Sequence, residues 1–284
     1  MKTIERYLNE QGHTPMTIKG YMYEITLFLK TNPQAETYKY KDIIDYISIK
    51  QKDYPNTGSS TRILSAIKKY YDYLIEVGKV EYHPCRTIYI KSKVGRNIIH
   101  QDLFSSVELA LLMTWEGRIK VNLLRNRCIL SLLIYQGLMA GEIIGLKTSH
   151  VDLDGGKIFI KGTKRLSQRH MEIHPKQYRI FDKYMNERLP DSGDALFIHK
   201  TGTPVTVEDI SYITGVCKYL FPDRNLNPVT IRQSVISNWL NERKFPMEDV
   251  QLMAGHKWMS TTERYKQVNL DEQRKLINKW YPLG

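Results

Sequence analysis

Residues 227–265, NPVTIRQSVISNWLNERKFPMEDVQLMAGHKWMSTTERY, constrain the fold more than any other stretch of the chain. They read as three short helices with clear punctuation. Asn227 is a good N-cap and Pro228 suits the first helical position. Ile231, Val235, Trp239 and Leu240 recur at helical spacing and mark one buried face. Pro246 opens a second helix, with Glu248 and Asp249 in its first turn, where acids favour the positive end. Gly255 closes that helix. Ser260 and Glu263 spell an S-x-x-E capping box for a third helix, which places Tyr265 in its second turn. Four polar residues project from this scaffold: Arg232, His256, Arg264 and Tyr265.

A chain of 284 residues has room for two domains of ordinary size, and 42% hydrophobic residues is enough for real cores. The formal net charge of +12 points to a polyanionic partner, nucleic acid first, although solvated lysine faces give the same total. The three cysteines, Cys85, Cys128 and Cys217, are too far apart for a C-x-x-C metal pair and read as buried packing in a reducing compartment. The opening MKTIERYLNEQG is polar and amphipathic, unlike a signal peptide. No apolar run approaches the roughly 20 residues that span a bilayer. The expectation is a soluble cytoplasmic protein, nucleoid-associated when bound to DNA, with no membrane partner.

The first 90 residues read as four helices. Ile4, Tyr7 and Leu8 share a face of the first. Thr14 or Thr17 caps the second, lined by Ile18, Tyr21, Ile25, Phe28 and Leu29. Asp42 begins the third, and Ser60 or Thr61 the fourth, with Ile63, Ile67, Tyr70, Tyr71, Leu74 and Ile75 as its stripe. Lys19, Arg62, Lys68 and Lys69 lie on outward faces, where cations contact phosphate or simply solvent. A basic linker, 91–104, follows with Lys91, Lys93 and Arg96. It is either a spacer or a segment crossing a DNA backbone.

Residues 105–284 form the second expected domain. Ser105 or Ser106 caps a helix. The next, about Val121 to Gly137, is apolar nearly all round and marks the domain's centre. A small antiparallel sheet comes next, through VDL, KIFIK and RHMEIH, with Ile158, Ile160, Met171 and Ile173 on one face. A helix around Tyr178 to Leu189, a short strand ALFIH and a helix from Val207 to Leu220 lead back to residue 227. The fold class is therefore mainly α with a small antiparallel β-sheet.

The order and spacing of Arg232, the Gly255-His256 pair and Tyr265 resemble the C-terminal signature of the tyrosine recombinases, the phage integrase family. Lys161-Gly162 with Lys164 and Arg165 resembles that family's Lys-Gly-x-Lys-x-Arg β-hairpin. Gly137, Leu138 and Glu142 match its Thr-Gly-Leu-Arg-x-x-Glu motif, and the N-terminal helices resemble its core-binding domain. The resemblance implies a two-domain clamp of a helical DNA-binding domain and an α+β catalytic domain. It implies cleavage and rejoining of double-stranded DNA through a 3′-phosphotyrosyl link on Tyr265, with Arg232, His256 and Lys161 as the other catalytic residues. It also implies self-association on DNA, dimer to tetramer, through the tail helix, and a role alongside other recombinases. The covalent intermediate conserves the bond energy, so neither cofactor nor metal is expected.

Two positions depart from the pattern. Met139 stands where the family has its first Arg, and Val229 where it has His or Lys. Lys164, Arg165 and Arg169 are the basic residues available to replace them. The other candidates each carry a plain structural reading too: Tyr265 as core or surface, His256 bonding a helix end, Arg232 pairing with Glu142, Lys161 guarding a strand edge. Three functions stay open: a site-specific recombinase or integrase, a recombinase-like protein that binds its site but cuts weakly or not at all, and a nicking-closing topoisomerase.

Overall fold

The computed structural model describes residues 3–54, 57–90, 103–115, 122–188 and 193–266. The chain divides into two compact units, Met1–Asn97 and Ile98–Gly284. Lys91, Lys93, Arg96 and the tail beyond 266 lie outside the described residues.

The first unit holds α1 (Ile4–Glu10), α2 (Pro15–Thr31), α3 (Tyr40–Asp53) and α4 (Thr57–Glu76). Thr14 rather than Thr17 caps α2, its hydroxyl accepting the Thr17 N–H at 3.3 Å. Asp42 does not begin α3. It sits in the first turn, and its carboxylate reaches back to accept the Lys39 N–H at 2.7 Å. The fourth helix starts at Thr57, ahead of the expected Ser60 or Thr61, because Ser60 is buried against the core and belongs to the packed face. The apolar stripes of α2, α3 and α4 meet around Phe28, whose ring packs edge-on to Tyr46 at 4.9 Å. Tyr71 is fully buried, and its hydroxyl donates to the Ala35 carbonyl at 2.6 Å.

The second unit is built on α6 (Leu123–Tyr135), following a short α5 (Ser106–Leu111). Ser105 and Glu108 close a capping box on α5. Cys128, Ile129, Leu130, Leu132 and Leu133 of α6 are buried, as an all-round apolar helix requires. The short α7 (Ala140–Ile144) leads into β1 (Val151–Asp152), β2 (Lys157–Ile160) and β3 (Arg169–Glu172), a three-stranded antiparallel sheet in that order. Ile158 lies opposite Met171 and Ile160 opposite Arg169. Alternation therefore puts Ile158, Ile160, Met171 and Arg169 on the same inner face. An arginine at a core-facing strand position is the sheet's one anomaly, and the site below accounts for it.

Next come α8 (Pro175–Glu187), α9 (Val207–Val216), α10 (Pro228–Asn241), α11 (Met247–Ala254) and α12 (Met259–Glu263). The expected strand ALFIH is reduced to isolated bridges, Lys147 to Ala195 and Ile198 to Pro204. The N-terminus of α10 matches its sequence signal: Asn227 Oδ1 accepts the N–H groups of Val229 at 2.9 Å and Thr230 at 3.0 Å. Gly255 ends α11 in the left-handed conformation, φ 69°. The S-x-x-E box on α12 does not form. Trp258 takes the N-cap position, so Ser260 falls inside the helix, and Tyr265 lies past the helix end rather than in a second turn. Cys85, Cys128 and Cys217 are free and buried, and no helix among the described residues is long and apolar enough to cross a membrane.

The buried Tyr71 hydroxyl generates a stability prediction. Tyr71→Phe leaves the Ala35 carbonyl with only the weaker bond from the Tyr38 N–H at 3.2 Å, an expected loss of about 1 kcal/mol. Urea unfolding followed by circular dichroism measures it as a lower midpoint with an unchanged slope.

Candidate active site

Three helix ends converge on one buried charge cluster. Arg232, one turn into α10, is almost fully buried. Its Nη1 donates to the Gly137 carbonyl just beyond α6, and its Nη2 donates to the Ala254 carbonyl at the end of α11, both at 2.6 Å. Carbonyls at helix ends lack intrahelical donors, so one guanidinium satisfies two of them. Glu142, in the first turn of α7, accepts the Met139 N–H at 2.9 Å. Its two oxygens also take a forked pair from Arg169, at 2.7 Å from Nη1 and 3.3 Å from Nη2. Arg232 Nη1 stands 3.7 Å from the same carboxylate. The structural alternative for Arg232, a partnership with Glu142, is therefore realised only in second place.

His256 follows the Gly255 turn and is buried. Its Nδ1 lies 2.9 Å from the Thr262 hydroxyl. The Thr262 carbonyl in turn accepts the Tyr265 N–H at 3.0 Å, so Thr262 ties the two candidate residues together. The rings of His256 and Tyr265 are stacked, 5.9 Å apart and 20° from parallel. Asn241 of α10 donates to the Tyr265 carbonyl at 3.0 Å. Burial first, then the nearby Arg232 and Arg169 charges, push the His256 pKa down to about 4. Burial raises the Tyr265 phenol above its ordinary value, and Arg232 and Arg264 oppose that shift. At neutral pH the pair is thus a neutral imidazole beside a protonated phenol.

The β2–β3 loop is pinned to this corner. Ser167 N–H donates to the Gly255 carbonyl at 2.9 Å, Leu166 bridges to His256, and Lys257 Nζ donates to the Lys164 carbonyl at 3.0 Å. Lys161 is exposed at the root of the loop, and Lys164 and Arg165 are exposed along it. Arg169 does not serve as an exposed replacement cation: its side chain is 2% accessible and its fork is engaged by Glu142. Gly255 permits this packing, since a Cβ there would lie 2.5 Å from Arg169 Nη1. Met139 and Val229 are exposed, at 44% and 61%.

The basic residues of the first unit differ in how far they are engaged. Lys19 is exposed. Arg62 pairs with Glu24 at 2.6 Å, Lys69 with Asp72 at 3.1 Å, and Lys68 donates to the Arg86 carbonyl at 3.0 Å while lying over the Tyr89 ring. The contacts of Arg62 and Lys68 were not legible in sequence, because their partners come from other segments, whereas Lys69 and Asp72 stand three residues apart on α4.

A family model described as the phage integrase family matches residues 105–272, which contain every residue of the cluster. The chain belongs to the phage integrase family. Among its relatives is the tyrosine recombinase XerC of Pelobacter propionicus, 26% identical over 79% of this chain and 74% of that protein. The XerC of Lacticaseibacillus casei is 25% identical over 98% of this chain and 97% of its own length. Two solved structures share the fold of this integrase-family chain. One is the XerH site-specific recombinase bound to difH substrate in a pre-cleavage complex. Its TM-score is 0.73 at 15% identity, covering 96% of this chain and 82% of that one. The other is a lambda integrase dimer bound to a COC′ core site, with TM-score 0.69 and 18% identity, covering 93% and 92%.

The depressed His256 pKa has a thermodynamic consequence. A histidine that titrates near 6.5 when unfolded and about 4 when folded contributes stability that is complete above 6.5 and is lost as pH falls toward 4. Full loss of that contribution amounts to about 3 kcal/mol. His256→Gln removes this dependence, so the difference in melting temperature between the two proteins should change sharply across that window and stay flat above it. Calorimetry at a series of pH values measures it.

Proposed function

We propose that this protein is a site-specific DNA strand transferase that cleaves and rejoins double-stranded DNA through a 3′-phosphotyrosyl intermediate on Tyr265. The observation that carries the reading is the convergence of the buried Arg232 guanidinium with His256 and Tyr265, whose rings stack at 5.9 Å. In this mechanism the Tyr265 oxygen attacks the phosphorus and the bond to the 5′-oxygen breaks. The phenolic proton passes to His256, which its lowered pKa leaves unprotonated at neutral pH but makes a weak base. Lys161 supplies the proton that the departing 5′-oxygen takes up. Arg232 retains N–H groups beyond the two it gives to Gly137 and Ala254, and these stabilise the charge gathered on the phosphate oxygens. Every bond broken is matched by one formed, and no cofactor enters the balance.

The first unit is the DNA-holding partner in this reading, with Lys19, Arg62, Lys68 and Lys69 directed at phosphates. Lys69 and its half-buried partner Asp72 lie three residues apart on α4, and such a pair is worth about 1 kcal/mol, so Lys69 gives up little when it moves to a phosphate. Assembly on DNA as a dimer or larger ring belongs to the same proposal, supported by the dimer named for the lambda integrase structure.

Met139 and Val229 favour a second reading, a recombinase-like protein that binds its site and cuts slowly. Both side chains are exposed, at positions where a guanidinium and an imidazole or ammonium were expected. Lack of one preorganised donor costs about 10²–10³ in rate.

A nicked suicide duplex carrying the bound site separates the two readings. Strand transfer predicts a covalent protein–DNA adduct on a denaturing gel that Tyr265→Phe abolishes. Met139→Arg together with Val229→His should then accelerate adduct formation by at least about tenfold. Tight binding with no adduct from the parent protein supports the binding reading, and an adduct that survives in Tyr265→Phe overturns the nucleophile.

A further inference from the structure

We infer that Arg169 is a positioning residue of this site: by occupying both oxygens of Glu142 it keeps the Arg232 charge uncommitted, so that a substrate phosphate meets a cation and not a neutral ion pair. The inference rests on the strand-transfer reading above and concerns a residue that does not itself reach the substrate.

The geometry carries it. Glu142 is 1% accessible and has two guanidiniums within reach. Arg169 holds it at 2.7 and 3.3 Å, whereas Arg232 stands off at 3.7 Å. Two cations and one carboxylate leave the cluster one positive charge in excess. The excess resides on Arg232, because the forked pairing of Arg169 with the carboxylate is the stronger contact. Remove the Arg169 charge, and a buried carboxylate is left with a backbone N–H and one remaining cation. An uncompensated buried charge is costly, so Glu142 would draw in Arg232. The cluster would then be neutral where the phosphate binds.

Arg169 is held in this role from all sides. It springs from a core-facing position of β3, opposite Ile160. Its Nη1 lies 3.5 Å from the Ser167 carbonyl and packs against the bare Cα of Gly255. Both of its Nη groups are taken up by the Glu142 carboxylate, which assigns it control of Glu142 rather than contact with phosphate. The effect is sharper in this chain because Met139 supplies no second guanidinium.

The test compares Arg169→Met with the double variant Arg169→Met/Glu142→Gln. Three readouts are taken: single-turnover adduct formation on the suicide duplex, DNA affinity by gel shift, and the His256 titration by NMR. The single variant should slow adduct formation by about 100-fold while affinity stays within about threefold. Removing the acid as well should restore at least about tenfold of that rate, although the ion pair is still absent. A role limited to structural support predicts a double variant no faster than the single one, and that result overturns the inference. If Arg169→Met does not fold, Arg169→Lys keeps the charge without the fork. Cleavage within about tenfold of the parent supports the inference, and a folded but inactive Arg169→Lys overturns it. The His256 arm needs no cleavage. Its midpoint should rise in Arg169→Met and fall back in the double variant, and a midpoint unmoved by Arg169→Met overturns the charge assignment. A parent protein that forms no adduct, yet shows these shifts, refutes strand transfer and leaves the Arg169 assignment standing.

Discussion

Glu142 is the carboxylate on which the second unit's buried charge cluster depends. It is buried, it accepts one backbone N–H from the start of α7, and it faces Arg169 and Arg232 from β3 and α10. A buried carboxylate tolerates only a site that pays back its lost hydration. Three elements remote in sequence are therefore drawn to one point. Arg232 extends the network by taking the terminal carbonyls of α6 and α11. The same contacts that complete those helix ends fix the guanidinium in place.

The electrostatics of the neighbouring pair follow from this arrangement. His256 sits close to two arginines and away from water, so its charged form is disfavoured twice. Tyr265 experiences burial and the Arg232 charge in opposite senses, and burial prevails. Thr262 bonds to the ring of one and the backbone of the other, which keeps them stacked. The result is a neutral imidazole stacked beside a protonated phenol, set by burial and by the two arginine charges together.

Backbone conformation makes the close approach possible. Gly137 and Gly255 both adopt positive φ, at 60° and 69°. At Gly255 a side chain would also collide with Arg169, so the glycine that ends α11 serves the charge cluster as well as the helix. The tie from Ser167 to Gly255 then brings the β2–β3 loop, with its exposed cations, alongside. This is how a corner of mostly buried charge acquires an exposed basic rim.

The sequence by itself determined the class of the fold, the four N-terminal helices, the central helix, the sheet's alternation, and the Asn227 and Gly255 caps. Each is a local rule: periodicity, a cap, a turn residue. It also marked Arg232, His256 and Tyr265 in order along the chain. Local rules failed where a tertiary contact competed with them. Ser260 was displaced from the cap when Trp258 began the helix, and Ser60 was absorbed into a packed face. Only the tertiary structure decided what the charges do. Arg169 reads as a spare cation until the β3 register turns it inward to Glu142, and Thr262 carries no signal until His256 folds over it. The pairing of ionised groups depends on distance and burial, and neither is written in the spacing of residues along one segment.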